Sequence, residues 1–301
     1  MKYRTKLWTS ISAAALIAAS GAVAGVASSS TADGAQHAGM PQGKADSGSF
    51  LMAAAGEGEG EGGEGGEAGE GGEGGEGGEG GERGVDPAEA AKDPVAYLSA
   101  LDVIRAHYLA GEAMLEVEGG RQAGGEMFAH PISEVYIDLE PVFEERGAPL
   151  FLDEMTEAVD LALGDAPAGE VKAAAARVYA AIDAAEETAP PSDRSEDAIE
   201  AALMADMFDR AAKQYDTAMG PAGTEEAWID GYGFWKVAEK RAAHLKPQLG
   251  EEHASLAEEI ATAEELFANA YASVAKPEEA PVETGTLLAA SSRISLKTGS
   301  F

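Results

Sequence analysis

The side chains best suited to chemistry in this 301-residue sequence are among its five histidines and the residues around them. Imidazole nitrogen binds iron, zinc or copper, often beside carboxylate or thioether groups. Met114 follows His107 at a spacing of seven residues. Met127 lies just ahead of His130, and Glu134 stands four residues after His130, so a helix would place His130 and Glu134 on one face. These five residues are the candidate metal ligands.

The pattern does not identify the metal, and the same residues could instead have purely structural roles. Imidazole with carboxylate suits iron or zinc, whereas imidazole with thioether suits copper. In the structural alternative, His130 caps a helix, His107 is partly buried beside Tyr108, and the methionines fill gaps in the core. The spacing is not that of a known metal helix such as His-Glu-x-x-His.

The other histidines are weaker candidates. His244 and His253 flank Pro247 and could meet across a short turn. We expect His244 instead to interact with the C-terminal end of its helix and His253 to lie on the surface. His37 falls in a segment that we expect to be disordered.

Two helices must bring the candidate ligands together. The first is predicted to start at Asp93, with Pro94 in its first position, and to end before Gly119. The loop RQAGGEMFA then leads to His130, which is expected just ahead of a second helix that begins at Pro131. An antiparallel hairpin of these helices would bring His107 close to His130 and Glu134.

The chain as a whole is predicted to be all-α, with about seven helices in up-and-down bundles. No segment alternates like a strand. Pro141 should kink or split the second helix, Gly147 should end it, and Ser192 and Thr224 are candidate caps of later helices. The aromatic group Trp228–Trp235 is expected to belong to the core.

The expected organisation has five parts. Residues 1–27 have the basic start, apolar stretch and small residues of a secretory signal peptide. Residues 28–84 should be a disordered tail and a Gly/Glu tether, because closely spaced like charges on a Gly-rich backbone cannot bury a core. Residues 85–190 should form a first helical bundle, 191–276 a second helical unit, and 277–301 a disordered C-terminal tail. The mature chain is expected in the periplasm or secreted, with no membrane insertion.

Charge and composition exclude several function classes. The formal net charge of −33 opposes binding to nucleic acid or anionic lipid. There is no cysteine, so there is no disulfide framework, thiolate metal site or cysteine nucleophile. We find no nucleophile–base arrangement, phosphate-binding loop or pair of catalytic carboxylates, and we predict that the protein is not an enzyme.

Residues 211–242 resemble the extracytoplasmic helical extension of some bacterial iron-permease family proteins. In that pattern a Tyr-containing helix leads through a Gly-containing loop into a helix with an aromatic–acid–Gly–Phe motif. Tyr215, Asp230, Gly233 and Phe234 are the matching positions. The resemblance covers about a tenth of the chain, which has none of the permease membrane helices. It implies iron handling at a cell envelope and assigns no ligands.

These observations predict an exported helical protein that binds a metal ion or metal complex, as an accessory to iron or copper uptake. Its partners would be the metal and an envelope transporter or another protein. The alternative is a non-catalytic structural or interaction module that the acidic tether spaces from an envelope partner.

Overall fold

The computed structural model describes residues 86–299 and residue 301. The predicted signal peptide (1–27) and the predicted tail and tether (28–84) lie outside the described residues. The described part is all-α, as the sequence predicts, and contains no strand. Its α-helices are α1 (Pro87–Ala90), α2 (Pro94–Met114), α3 (Arg121–Pro131), α4 (Ile137–Arg146), α5 (Leu152–Leu163), α6 (Ala168–Glu186), α7 (Glu196–Met219), α8 (Glu225–Leu245), α9 (Ala254–Ala270) and α10 (Thr284–Thr298). A π-helical segment, Ile132–Tyr136, joins α3 to α4, and the 3₁₀ turns Lys246–Gln248 and Glu251–His253 lie between α8 and α9.

Local capping chemistry starts the principal helices. The Asp93 side chain accepts a hydrogen bond from the backbone N–H of Val95 at 2.8 Å, directly before Pro94. Thr224 caps α8 in the same way. α7 is capped by Ser195 and not by the predicted Ser192, because the helix begins three residues later than expected. Each cap satisfies an N–H group that the helix itself leaves free.

The second predicted helix differs from the structure at its start. The segment predicted as a loop is α3, so His130 lies in the last turn of a helix and Pro131 does not begin one. The sequence predicts a kink or a split at Pro141. In the structure the α-helix is interrupted earlier, by the π-helical segment, and Pro141 lies inside α4. Gly147, with φ at 72°, ends α4 as predicted.

The C-terminal prediction of a disordered tail over 277–301 is wrong. Thr284–Thr298 is α10, and Leu287 and Ile294 on its inner face are fully buried. α10 packs against α7 and α9. Glu283, at the N-cap position ahead of α10, makes no capping hydrogen bond with its side chain, so packing of the apolar face holds this helix in place.

Helices from before and after Pro190 pack together within one compact unit. α2 contacts α3 on one side and α8 on another, and α7 and α8 form the most extensive helix pair. The aromatic group of α8 is core, as predicted, since Trp228, Phe234 and Trp235 are each 1% exposed. Trp235 and Phe208 of α7 pack at 5.8 Å between ring centroids.

The apolar surface of the described residues is almost entirely turned inward. The large hydrophobic side chains left exposed are Ile137, Leu150 and Leu296, which are scattered along the chain. Between residues 86 and 299, no helix combines the length and apolar character needed to cross a membrane.

Candidate functional site

His107 lies buried in α2 with one of its two ring nitrogens hydrogen-bonded. The residue is 2% exposed, and Nδ1 lies 2.8 Å from the carbonyl oxygen of Val103, one turn earlier. Because a carbonyl oxygen only accepts hydrogen bonds, Nδ1 carries a proton and donates it to Val103. Nε2 is therefore the nitrogen that is left for another partner, and it makes no hydrogen bond.

Two carboxylates from other elements face this nitrogen. Nε2 lies 3.5 Å from Oε2 of Glu134 in the π-helical segment and 3.5 Å from Oδ1 of Asp230 in α8. Both distances exceed the 2.7–2.9 Å or so of a charge-assisted hydrogen bond. Asp230 is 2% exposed, whereas the Glu134 side chain is 34% exposed. Three elements thus place one imidazole and two carboxylates around a buried point, which we call the His107 cluster.

The electrostatics of the His107 cluster favour positive charge at Nε2. Burial alone would lower the pKa of His107, but the facing carboxylates of Glu134 and Asp230 outweigh it and raise the pKa to about 9. Burial would raise the pKa of Glu134, but the imidazoles of His107 and His130 hold it below its usual value. In the absence of another cation, the charge at Nε2 is a proton.

Close helix crossings bring these groups together. At Gly111, a Cβ atom would lie 2.8 Å from the carbonyl oxygen of Gly124, so two glycines let α2 and α3 approach closely. At Gly233, a Cβ atom would collide with the backbone carbonyl of Ala106 in α2. Gly233 therefore lets α8 approach α2 at the residue directly before His107, and Asp230 precedes Gly233 by about one turn of α8.

The π-helical segment places Glu134. The N–H of Ile137 donates to the carbonyl oxygen of Ile132, five residues earlier, which widens this turn by one residue compared with an α-helix. Glu134 lies in the middle of this turn. Single π-helical turns inside α-helices often mark functional sites.

His130 lies beside the His107 cluster and also faces outward. Its ring centroid is 6.2 Å from that of His107, and its Nδ1 is 3.6 Å from Oε1 of Glu226 at the start of α8. A pocket of about 190 Å³ opens here between α3 and α8. We call it the outer pocket; its lining includes Glu126, Met127, His130, Glu225, Glu226 and Ile229.

The structure brings together three of the five sequence-predicted ligands, His107, His130 and Glu134. Met127 is buried and lines the outer pocket beside His130. Met114 is buried at the turn between α2 and α3, with its Cβ and Cε packed towards Gly124 and Gly120. Because it lies seven residues beyond His107, or about 10 Å along the helix axis, it is not part of the cluster.

Sequence reasoning named neither Asp230 nor Glu226 as a site residue. Asp230 entered only as one position of the iron-permease resemblance. A signal for it existed, because Ala227, Asp230 and Phe234 share one face of α8, and a buried helix face with an acid among apolar residues is unusual. Glu226 carries no such signal, since it is an exposed acid in a first helical turn.

Over the residues that the structure describes, no group of three or more His, Asp or Glu side chains is already arranged to hold a metal ion. In comparisons with protein-family models, curated proteins and solved structures, nothing matches this chain. The function is therefore argued from the His107 cluster itself.

Proposed function

We propose that this chain is an exported metal-binding protein that holds a divalent cation between His107, Glu134 and Asp230, with His130 as a fourth ligand. It would serve cation uptake alongside an envelope transporter. The observation that carries the proposal is the buried Nε2 of His107, which makes no hydrogen bond and faces two carboxylates.

The orientation of His107 supports this proposal. Metal-binding histidines commonly donate their second ring N–H to a backbone carbonyl, which fixes the tautomer and aims the other nitrogen at the ion. The hydrogen bond from Nδ1 to Val103 has this form. Ligand atoms about 2.0–2.1 Å from a tetrahedral ion are separated by about 3.3 Å. The two 3.5 Å distances around Nε2 are close to that separation.

The charge around Nε2 also favours a cation. Two carboxylates, those of Glu134 and Asp230, face this nitrogen. His107 and Asp230 are held by buried helices, whereas Glu134 and His130 are partly exposed and can adjust to complete the site.

The donor set favours iron or zinc over copper. Nitrogen and carboxylate donors suit Fe²⁺ and Zn²⁺, while Cu⁺ favours thioether sulfur. The groups found against Nε2 are the carboxylates of Glu134 and Asp230, while Met114 packs at the α2–α3 turn and Met127 lines the outer pocket. Iron also agrees with the resemblance of residues 211–242, which includes Asp230. We therefore propose Fe²⁺ as the physiological ion and Zn²⁺ as its experimental equivalent.

Isothermal titration of the chelator-stripped full chain with Zn²⁺, and with Fe²⁺ under anaerobic conditions, tests the proposal. We expect one tight site that His107→Ala removes and that Asp230→Asn weakens by at least tenfold. His244→Ala is the matched control, because His244 also lies near a carboxylate, with its Nδ1 3.4 Å from Glu200, but its side chain is 71% exposed. Every variant keeps the Gly/Glu run, so loose binding there cancels. Equal affinity in the His107→Ala and His244→Ala proteins would contradict the proposal.

A further inference from the structure

Three buried aromatic side chains pack together beside Asp230. They are Tyr215 of α7, Trp228 of α8 and Tyr271, which directly follows α9, and each is at most 2% exposed. The ring of Tyr271 lies 4.9 Å from that of Trp228 and 5.5 Å from that of Tyr215, between centroids. We call these three residues the Tyr271 cluster. It joins three elements next to the carboxylate that α8 supplies to the His107 cluster.

Polar atoms of the Tyr271 cluster are bonded to the main chain of other segments. The Tyr271 hydroxyl donates to the carbonyl oxygen of Ala211 in α7 at 2.8 Å, and this hydrogen bond is buried. Nε1 of Trp228 donates to the carbonyl oxygen of Ser273 at 3.2 Å. These bonds connect α8, two residues before Asp230, to the segment after α9, and connect that segment to α7.

The Tyr271 hydroxyl also lies against α8 at the residue directly after Asp230. At Gly231, a Cβ atom would collide with this hydroxyl oxygen, so the missing side chain lets Tyr271 reach the backbone of α8. Burial raises the pKa of Tyr271 well above its ordinary value, and the charges of Tyr215 and Asp230 add to this, so the hydroxyl stays a protonated donor. Trp228 and Gly231 therefore hold α8 on both sides of Asp230.

From this arrangement we infer that Tyr271 is a positioning residue for the cation site and acts through Asp230. Its hydroxyl, bonded to α7, sets where α8 lies at Gly231, and thus where the Asp230 carboxylate stands relative to Nε2 of His107, 3.5 Å away. Losing a group that supports a metal ligand typically weakens binding by about 10- to 100-fold. This inference rests on the proposed function, and it adds a residue that is not itself a ligand.

A double-mutant cycle, measured by calorimetric titration of the full chain with Zn²⁺, tests the inference. Tyr271→Phe removes the hydroxyl and keeps the ring, and we expect the affinity to fall about tenfold. In the Asp230→Asn background the same change should cost less than about twofold, because the carboxylate that Tyr271 positions is already gone. A hydroxyl that only stabilised the fold would cause the same loss in both backgrounds.

The matched control is Tyr215→Phe, which removes another hydroxyl of the same cluster. That hydroxyl donates to the carbonyl oxygen of Val282 at 2.8 Å and accepts from its N–H at 3.0 Å, so we expect the Zn²⁺ affinity to stay within about twofold. Unchanged affinity in Tyr271→Phe, an equal loss in Tyr215→Phe, or an undiminished loss in the Asp230→Asn background would each overturn the inference. These results leave the proposed function standing, which fails only if Zn²⁺ binding does not depend on His107.

Discussion

Two buried charged clusters share α2, and they differ in whether the charged group that α2 contributes is hydrogen-bonded to its partners. At Asp102, which is fully buried, both carboxylate oxygens accept hydrogen bonds from Arg241 at 2.9 Å. The same guanidinium donates to Glu200 and Glu186 at 2.9 and 3.1 Å. One turn further along α2, the carboxylates around His107 lie 3.5 Å from Nε2.

This difference separates a structural cluster from a candidate binding site. Arg241 uses four of its five N–H groups to bind the carboxylates of Asp102, Glu186 and Glu200. One carboxylate oxygen there, Oε1 of Glu200, makes no hydrogen bond and lies 3.4 Å from Nδ1 of His244. In the His107 cluster two carboxylates face one imidazole, and Nε2 of His107 makes no hydrogen bond. Buried polar groups are normally hydrogen-bonded, so an exception calls for a functional explanation. For Nε2 of His107, the explanation that we propose is a cation.

Breaking the hydrogen-bonded pair of Asp102 and Arg241 should have the largest effect on stability. Arg241→Met leaves Asp102 buried without its main partner, and we expect the free energy of unfolding to fall by about 3–5 kcal/mol. Urea denaturation measures this change. The double variant Arg241→Met/Asp102→Leu should recover much of the loss, because Asp102 is then no longer a fully buried charge without its partner. A loss below about 1 kcal/mol for Arg241→Met would show that this network is not a structural element.

The His107 cluster should instead make stability depend on pH in the metal-free protein. Folding raises the pKa of His107 from about 6.5 to about 9, so the folded state binds the proton more tightly than the unfolded state. Protonation of His107 therefore stabilises the fold fully below pH 6.5, and this stabilisation is lost above pH 9. We expect up to about 3 kcal/mol to be lost across this window, measured by urea denaturation in the presence of chelator. The groups that face His107 are Glu134, Asp230 and His130. His107→Gln keeps an N–H donor but does not titrate, so its stability should be nearly flat over the same window; a matching decline in that variant would contradict the assignment.

The close approach of α8 to α2 should have an intermediate effect. Gly233→Ala places a Cβ against the backbone of Ala106, and we expect a loss of about 1–3 kcal/mol together with weaker Zn²⁺ binding, because α8 carries Asp230. Thermal unfolding and titration calorimetry measure the two changes. The control is Gly285→Ala in the first turn of α10, where nothing lies within 4 Å. Normal Zn²⁺ affinity in Gly233→Ala would argue against a site that spans α2 and α8.

The smallest effect is expected at Met114. Met114→Leu nearly conserves volume, so the free energy of unfolding should change by less than about 1.5 kcal/mol. Its Zn²⁺ affinity should stay within twofold of the unchanged chain in calorimetry, because Met114 lies at the α2–α3 turn. A tenfold loss of affinity would place its sulfur at the ion and revive copper as the preferred metal.

The features that the sequence predicted correctly depend on neighbouring residues. Asp93 with Pro94, Thr224 and Gly147 act within one helical turn, so their roles are visible in the local sequence. The meeting of His107 with His130 follows from a hairpin of consecutive helices.

The features that it missed depend on contacts between distant segments. Gly124 and Gly125 suggest a loop, yet they are helical because α3 packs tightly against Gly111. α10 lacks a capping side chain and is held by the burial of Leu287. Asp230 reaches His107 only through a contact between residues more than 100 positions apart.

The most direct test of the account is the thermal midpoint of the full chain, stripped with chelator, with and without Zn²⁺ or Fe²⁺. The full chain is required because α10 packs on α7 and would be lost from a fragment that ends at residue 276. A ligand that binds only the folded state at a hundredfold excess over its dissociation constant adds about 2.7 kcal/mol. We predict a clear rise that His107→Ala abolishes and His244→Ala retains. No rise with either metal, or an equal rise in the His107→Ala protein, would contradict the account and favour a tethered interaction module.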